Sequence, residues 1–483
     1  MTLKQRTING LLWSFIDSFT NQGVQFVVGI ILARILSPRE FGLIGMLTIF
    51  IAVSQSIVDS GFSNALIQKK NCTQEDYSTV FYYNLIIGIL FYAILFFFAP
   101  QISFFFKEPQ LILLLKVLGI GIVFNAIGII QRTILTKEIN FKLQTRVSIV
   151  ASVGSGSIAI IMAMLGYGVW SLVALTLLRF GLNSMFLWIW AKWKPKGVFS
   201  KKSFNELFSF GSKLLISGLI DTIYRNIYFL VIGKYFAAKE LGFYTRADQF
   251  KAFPSKNLNN IISRVSYPVL ASIQNDKEKL KHAYQKIIRI TMLVTFCLML
   301  GMAAVAKPMI IALIGEKWLP AVVYLQMLCF VGMFYPLHAL NLNMLQVQRR
   351  SDLFLRLEII KKALAVPTIL VGIYWGIKMM ILGMMVNTII AFYLNSYWSG
   401  KMIGYSFIRQ IKDITPSFLL ALSMASITFL VGKYLDIPAI WQLFVQILTG
   451  ILYVFLVCEI INFKDYIYIK LVVFEKISTY RKK

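Results

Sequence analysis

The sequence predicts an all-α integral membrane protein of about fourteen transmembrane helices, arranged as two six-helix bundles plus two C-terminal helices. Three observations predict it: the composition, the spacing of the apolar runs, and the placement of the basic residues. Hydrophobic residues make up 58% of the 483 and charged residues 14%, where a soluble domain carries about a quarter. A water-soluble chain of this length cannot hide that much apolar surface, and a bilayer-spanning helix needs about 20 apolar residues. Such stretches follow one another with short polar hinges between them, at about 10–36, 41–66, 77–100, 109–135, 143–165, 167–191, 207–235, 240–272, 285–314, 319–346, 353–375, 378–402, 414–434 and 438–462.

The basic residues orient these spans. Connections on one side hold Lys69 and Lys70; Lys137, Lys142 and Arg146; Lys192, Lys194, Lys196, Lys201 and Lys202; then Lys277, Lys279, Lys281 and Lys286. The same side continues with Arg349 and Arg350, then Lys401, Arg409 and Lys412, and a basic tail ending Arg481, Lys482, Lys483. The opposite connections hold only Arg39, Lys107, Lys239, Lys317, Lys378 and Lys433. By the positive-inside rule both termini are expected in the cytoplasm, and an odd number of spans would break the alternation. The net charge of +28 is therefore read as topology signal beside anionic lipid, not as a nucleic-acid footprint, because no segment is polar enough to form a soluble basic domain. The N-terminal apolar run is too long for a cleavable signal peptide and carries Asp17, Asn21 and Gln25, so it reads as a retained first helix.

An internal repeat organises the chain. Residues 33–45, ARILSPREFGLIG, match residues 233–245, GKYFAAKELGFYT, at an offset of 200, pairing Arg39 with Lys239, Glu40 with Glu240 and Gly42 with Gly242. The preceding helices match as well. Asp17, Asn21 and Gln25 recur every fourth residue along one face, and Ser217, Asp221 and Arg225 do the same 200 residues later. The expected lobes are 1–200 and 201–400, with two extra helices and the basic tail in 401–483. An even number of spans per repeat relates the lobes by an axis along the membrane normal, an arrangement that places substrate near the midplane between them.

Ionisable groups inside the bilayer mark function because each costs roughly 2.5–3.5 kcal/mol on insertion scales. The first span offers Asp17, Asn21 and Gln25, the second Gln55, Asp59 and Asn64, the seventh Asp221, Arg225 and Asn226. The eighth is the least membrane-like, with Arg246, Asp248, Gln249, Lys251, Lys256, Asn257, Asn259, Asn260 and Arg264 around Pro254, where a bend is expected. It suits either a wet cavity wall, with Arg246, Gln249, Asn257, Asn260 and Arg264 on one face, or a surface-lying amphipathic helix. Asp221 and Arg225 suit either a cavity or a structural i,i+4 ion pair. Arg179, deep in the sixth span, is a further cavity candidate. The lean toward Arg, Lys and Asn favours an anionic, hydroxyl-rich cargo.

Catalysis has no signature here. There is no P-loop, GxSxG or HExxH pattern, the four cysteines form no CxxC pair, and His282 and His338 are the only histidines. No enzyme activity, metal or cofactor is expected. A membrane polymerase or ligase would need a long extracytoplasmic loop, and every loop is short.

The stretches GLLWSF (10–15), ARILSPREFGLIGM (33–46), DSGFSNALIQKKN (59–71) with DYSTVFYYNL (76–85), GYGVWSLV (166–173) and ISRVSYPVLASIQND (262–276) occur in an order and spacing that resembles one family. It is the polysaccharide-exporter branch of the multidrug/oligosaccharidyl-lipid/polysaccharide exporter superfamily, of the colanic-acid and teichuronic-acid exporter type, and the resemblance covers about 1–400. The resemblance implies a flippase of the cytoplasmic (inner) membrane that moves an undecaprenyl-diphosphate-linked oligosaccharide by alternating access, working with polysaccharide polymerase and export machinery. It implies a cationic cavity with Arg225, Arg246, Lys251 and Arg264 at its wall, and Asp17, Asp59 and Asp221 as candidates for coupling to H+ or Na+. The alternative on the same fold is an ion-coupled exporter of small molecules or drugs, which predicts a cavity dominated by acidic groups.

Overall fold

The computed structural model describes residues 3–471, with side chains described from residue 13 onward except at positions 14–16, 18, 265 and 351. The end of the expected basic tail, including Lys476 and Arg481 to Lys483, lies outside the described residues. Among the described residues all regular structure is helical. The first elements are α1 (Leu3–Ile35), α2 (Pro38–Asp59), α3 (Phe62–Gln68), α4 (Gln74–Phe106), α5 (Leu111–Lys137), α6 (Phe141–Met164), α7 (Val169–Trp190), α8 (Lys201–Tyr235) and α9 (Ala238–Ser272). There follow α10 (Lys277–Ala304), α11 (Ala306–Ile314), α12 (Ala321–Met333), α13 (Tyr335–Val347), α14 (Ser351–Trp375), α15 (Ile377–Ile403), α16 (Phe407–Tyr434) and α17 (Ala439–Ile460).

Each predicted apolar range falls on one of these helices or on a joined pair. Three ranges are split in two. Ser60 and Gly61 adopt left-handed backbone between α2 and α3, which glycine accepts without strain. A turn at Val305 separates α10 from α11, and α12 stops at Phe334 just ahead of Pro336, which cannot continue the preceding hydrogen-bond ladder. Among the described residues, eleven segments are long and apolar enough to cross a membrane. The expected spans 240–272 and 353–375 fall on α9 and α14, which carry charges along their length, and 10–36 falls on α1, whose described apolar part is Phe19–Ile35. α9 also continues through Pro254 and Pro268 as one helix. Apolar side chains cover the outside of the bundle, with Phe104 87% exposed, as lipid contact requires and water would not tolerate.

The chain forms two compact units, divided between Thr245 and Arg246. In the first, α1 packs on α6, α4 on α5, α7 on α5 and α6, and α2 on α5 and α8. In the second, α10 packs on α12 and α16, α14 on α15, and α16 on α17.

The repeat is visible in the helix ends: α1 stops at 35 and α8 at 235, α2 starts at 38 and α9 at 238. The first turns of α2 and α9, both in the first unit, touch backbone to backbone. A Cβ at Gly42 would fall on the Ala238 carbonyl oxygen, and a Cβ at Gly242 on the Pro38 carbonyl oxygen. These paired glycines make the approach possible, and Ala238 and Pro38 are themselves related by the offset of 200. At the other end of α2, Gly61 meets Gly211 of α8, where an added Cβ on Gly211 would lie 2.8 Å from the Ser60 carbonyl oxygen.

Candidate functional site

In the first unit the polar stripe of α1 faces polar residues of α6 and α7. Ser148 donates to Asp17, and Ser152 donates to Asn21 at 2.6 Å. Gln25 donates to Asn21 at 2.9 Å and accepts from Arg179 Nη1 at 2.7 Å. One turn along α7, Asn183 accepts from Arg132 Nη2 of α5 at 2.6 Å. The Arg132 guanidinium lies within electrostatic reach of Asp17 and Asp59, and Arg179 within reach of Arg132. Asp59, the last residue of α2, accepts from Ser63, whose hydroxyl accepts from Thr133 at 3.0 Å. One turn before Asp59, the amide nitrogen of Gln55 is buried without a partner. The result is a seam of two guanidiniums, two carboxylates and four amides spread over α1, α2, α5, α6 and α7.

Depth and partner choice make the seam chemically specific. Arg179 is the eleventh of the 22 residues of α7, so its charge sits midway along a membrane-spanning helix. Each arginine is held by a neutral amide oxygen, and neither makes a carboxylate ion pair among the described residues. A guanidinium has several N–H donors in a planar fork. With one donor committed, the rest of each fork stays available, and Arg132 is exposed while Arg179 is partly so. Such a pair can take a phosphate or carboxylate bidentately.

The remaining sequence-predicted residues are distributed more widely. On α8, Arg225 pairs with Asp221 at 2.8 Å, with side chains 73% and 40% exposed. On α9, the face carrying Arg246, Gln249, Asn257, Asn260 and Arg264 is uneven: Arg246 is buried, Asn257 is half-buried and donates to the Phe253 carbonyl, and Gln249, Asn260 and Arg264 are exposed. Lys251 lies on the opposite side of that helix. It is buried in the second unit against Asp248 at 2.6 Å and the hydroxyl of Tyr335 at 3.5 Å. The structure thus brings Asp17, Asn21, Gln25 and Asp59 into one seam of the first unit. It puts Asp221 and Arg225 on α8 in the same unit, and Arg246 to Arg264 in the second.

Sequence reasoning missed Arg132, Asn183, Ser148 and Ser152. For Arg132 there was a signal, the polar triplet Gln131-Arg132-Thr133 inside the apolar run of α5. Ser148 and Ser152 gave one as well, since their four-residue spacing matches that of Asp17 and Asn21.

Long apolar helices around a charged, amide-lined seam define a multi-pass membrane protein. A family model described as polysaccharide biosynthesis protein (Polysacc_synt_3) matches residues 31–323, and the chain belongs to that family. It is 28% identical over 357 residues to the teichuronic acid biosynthesis protein TuaB of Bacillus subtilis, covering 73% of each chain. It is 26% identical over 443 residues to the lipopolysaccharide biosynthesis protein WzxC of Escherichia coli, covering 89% of each. Among solved structures it is similar in fold to the lipid II flippase MurJ, with a TM-score of 0.77 at 18% identity, covering 95% of this chain and 100% of that one. It is similar at a TM-score of 0.62 and 15% identity to a multidrug resistance MATE family transporter, covering 79% of this chain and 94% of that one.

Proposed function

We propose that this protein is a flippase, not an enzyme. It moves an undecaprenyl-diphosphate-linked oligosaccharide repeat unit across the cytoplasmic membrane by alternating access, for surface polysaccharide biosynthesis. The observation that carries the reading is the pair Arg132 and Arg179, held within membrane-spanning helices by Asn183 and Gln25 instead of by carboxylates. A charge in the bilayer is retained where it faces a cavity or a partner, and these two forks are oriented by amides and left free to take an anion. A diphosphate suits the guanidiniums, and Asn21, Gln25, Ser148 and Ser152 suit sugar hydroxyls. Two guanidiniums in the seam disfavour an exporter of small cations.

Membership of the polysaccharide biosynthesis family, and relatives named for teichuronic acid and lipopolysaccharide biosynthesis, support the cargo class. The fold shared with a lipid II flippase supports the mode of action. In this reading fourteen helices cross the membrane, both termini are cytoplasmic, and lobes 1–200 and 201–400 rock about the cargo with two helices appended. Arg225, Arg246, Gln249, Lys251, Asn257, Asn260 and Arg264 belong to the second lobe's share of the path. Asp17, Asp59 and Asp221 couple the cycle to H+ or Na+. A polysaccharide polymerase receives the flipped unit.

The test replaces Arg132 and Arg179 singly by Ala in the producing cell. Surface polysaccharide is expected to fall at least tenfold, roughly the weight of one charge-assisted hydrogen bond, with the protein still in the membrane and lipid-linked oligosaccharide accumulating. Normal polysaccharide from both variants at normal protein levels would remove the seam from the transport path.

A further inference from the structure

Between α7 and α8 the chain runs as a strap, residues 191–200, which turns at Lys192 and Gly197 and is fastened down along its length. Trp193 Nε1 donates to Gln74 Oε1 at 2.8 Å, and Gln74 Nε2 donates to the Lys194 carbonyl at 2.8 Å. The backbone N–H of Lys196 donates to Ser78 Oγ at 3.0 Å, and that of Ser200 to Thr79 Oγ1 at 2.9 Å. The Trp193 ring packs edge-on against Tyr77 and Phe81. All of these partners lie in the first turns of α4, so one face of the strap is committed to that helix.

Between its two turns, over 193–196, alternate side chains of the strap point to opposite faces, and the exposure follows this period. Trp193 and Pro195 are half-buried, while Lys192, Lys194 and Lys196 are exposed. The row continues into Lys201 and Lys202, also exposed, at the N-terminus of α8, where lysine opposes the helix dipole. None of these five lysines makes an ion pair with a described residue. The nearby carboxylates Asp76 and Glu206 are taken by Lys69, at 3.1 and 3.0 Å. Beside the lysines, Val198 and Phe199 are 43% and 53% exposed.

A row of like charges held rigid with no counter-charge of its own is electrostatically unfavourable unless an external anion lies against it. The strap joins the ends of two membrane-spanning helices and lies over the end of a third, which puts it at headgroup level. Lysines with apolar neighbours at that depth match an anionic lipid surface. We propose that the α7–α8 strap is a binding site for the phosphate headgroups of anionic phospholipid, read by Lys192, Lys194 and Lys196 and seated by Val198 and Phe199.

The test is native mass spectrometry of the full-length detergent-purified protein titrated with cardiolipin, phosphatidylglycerol or phosphatidylcholine. A lysine at an anionic surface contributes about fivefold in affinity. The triple variant Lys192→Gln, Lys194→Gln, Lys196→Gln is therefore expected to bind the two anionic lipids about 100-fold more weakly. The matching triple Lys→Arg variant is expected to bind them as the parent does. Trp193→Ala keeps every charge but frees the strap, and a several-fold loss is expected. Undiminished binding by the triple Gln variant, or equal binding of phosphatidylcholine by the parent, overturns the site and leaves the lysine row to an acidic protein partner. Undiminished binding by Trp193→Ala overturns the role of the fastened geometry.

Discussion

The hairpins α1–α2 and α8–α9 are built on one plan and furnished differently. Both have a two-residue link, at 36–37 and 236–237, and both place a glycine at the fifth position of the second helix. The first hairpin is capped by side chains: the Ser37 N–H and hydroxyl both donate to the Glu40 carboxylate, with Pro38 opening the helix, a strong start signal. In the second hairpin Ala237 and Ala238 stand at these positions, and the Glu240 N–H bonds the Ala237 carbonyl instead. The polar stripes diverge further. That of α1 reaches across to α6 and α7, whereas on α8 Arg225 pairs with Asp221 along its own helix. What survives between the copies is the backbone approach, which tolerates no side chain; what changes is the chemistry each stripe presents.

The first way to break the comparison is to crowd that shared approach. An alanine in place of glycine inside a helix ordinarily stabilises by roughly 0.5–1 kcal/mol. At Gly42 and Gly242 the new Cβ would meet a backbone carbonyl oxygen of the facing helix, so the sign should reverse. Gly42→Ala and Gly242→Ala are each expected to destabilise by about 1–3 kcal/mol, and the valine variants by more. Thermal unfolding of the purified variants measures this. A stabilised Gly242→Ala beside a destabilised Gly42→Ala would show that the crossing is one-sided and that the two copies differ in frame as well as in chemistry.

Next comes the contrast within α8 and α9 between a buried and an exposed ion pair. Lys251 is buried against Asp248 and Tyr335. Removing one partner of a buried pair costs about 3–5 kcal/mol, because the other charge is stranded, and replacing both by apolar groups is often neutral. Lys251→Met is therefore expected to lower the unfolding temperature markedly, and Lys251→Met with Asp248→Leu to recover most of the loss. If the double variant stays as unstable as the single one, Lys251 contributes through something besides that pair.

How legible this was in the sequence depended on whether the signal was periodic. The helices follow from runs of apolar residues, and the α1 stripe from the four-residue spacing of Asp17, Asn21 and Gln25. The matched links at 33–45 and 233–245 gave away a repeat whose helix ends coincide at an offset of 200. Arg132 was illegible in role because nothing local distinguishes an arginine near a helix end that meets solvent from one that reaches Asn183 on another helix. Lys251 shows the same limit: the resemblance sets it beside Arg246 and Arg264, and on the helix it lies on the other face from them, where a partner 84 residues further along the chain, Tyr335, receives it. Partner identity across helices is tertiary information that spacing does not carry.

The smallest effect sharpens the comparison of the two stripes. Asn21 accepts from both Ser152 and Gln25, so Asn21→Leu leaves polar groups on two helices without their acceptor and is expected to destabilise by about 1–3 kcal/mol. Arg225 and Asp221 are joined at 2.8 Å but are 73% and 40% exposed, and exposed pairs contribute about 0–1 kcal/mol. Arg225→Gln should therefore leave the melting curve close to the parent's. The informative readout is polysaccharide export at unchanged stability. If Arg225→Gln abolishes export while melting normally, the α8 stripe contributes its charge to the cargo path. If export and melting are both unchanged, the pair only shields two charges from the bilayer, and the cationic work falls to Arg132 and Arg179, which the α1 stripe faces.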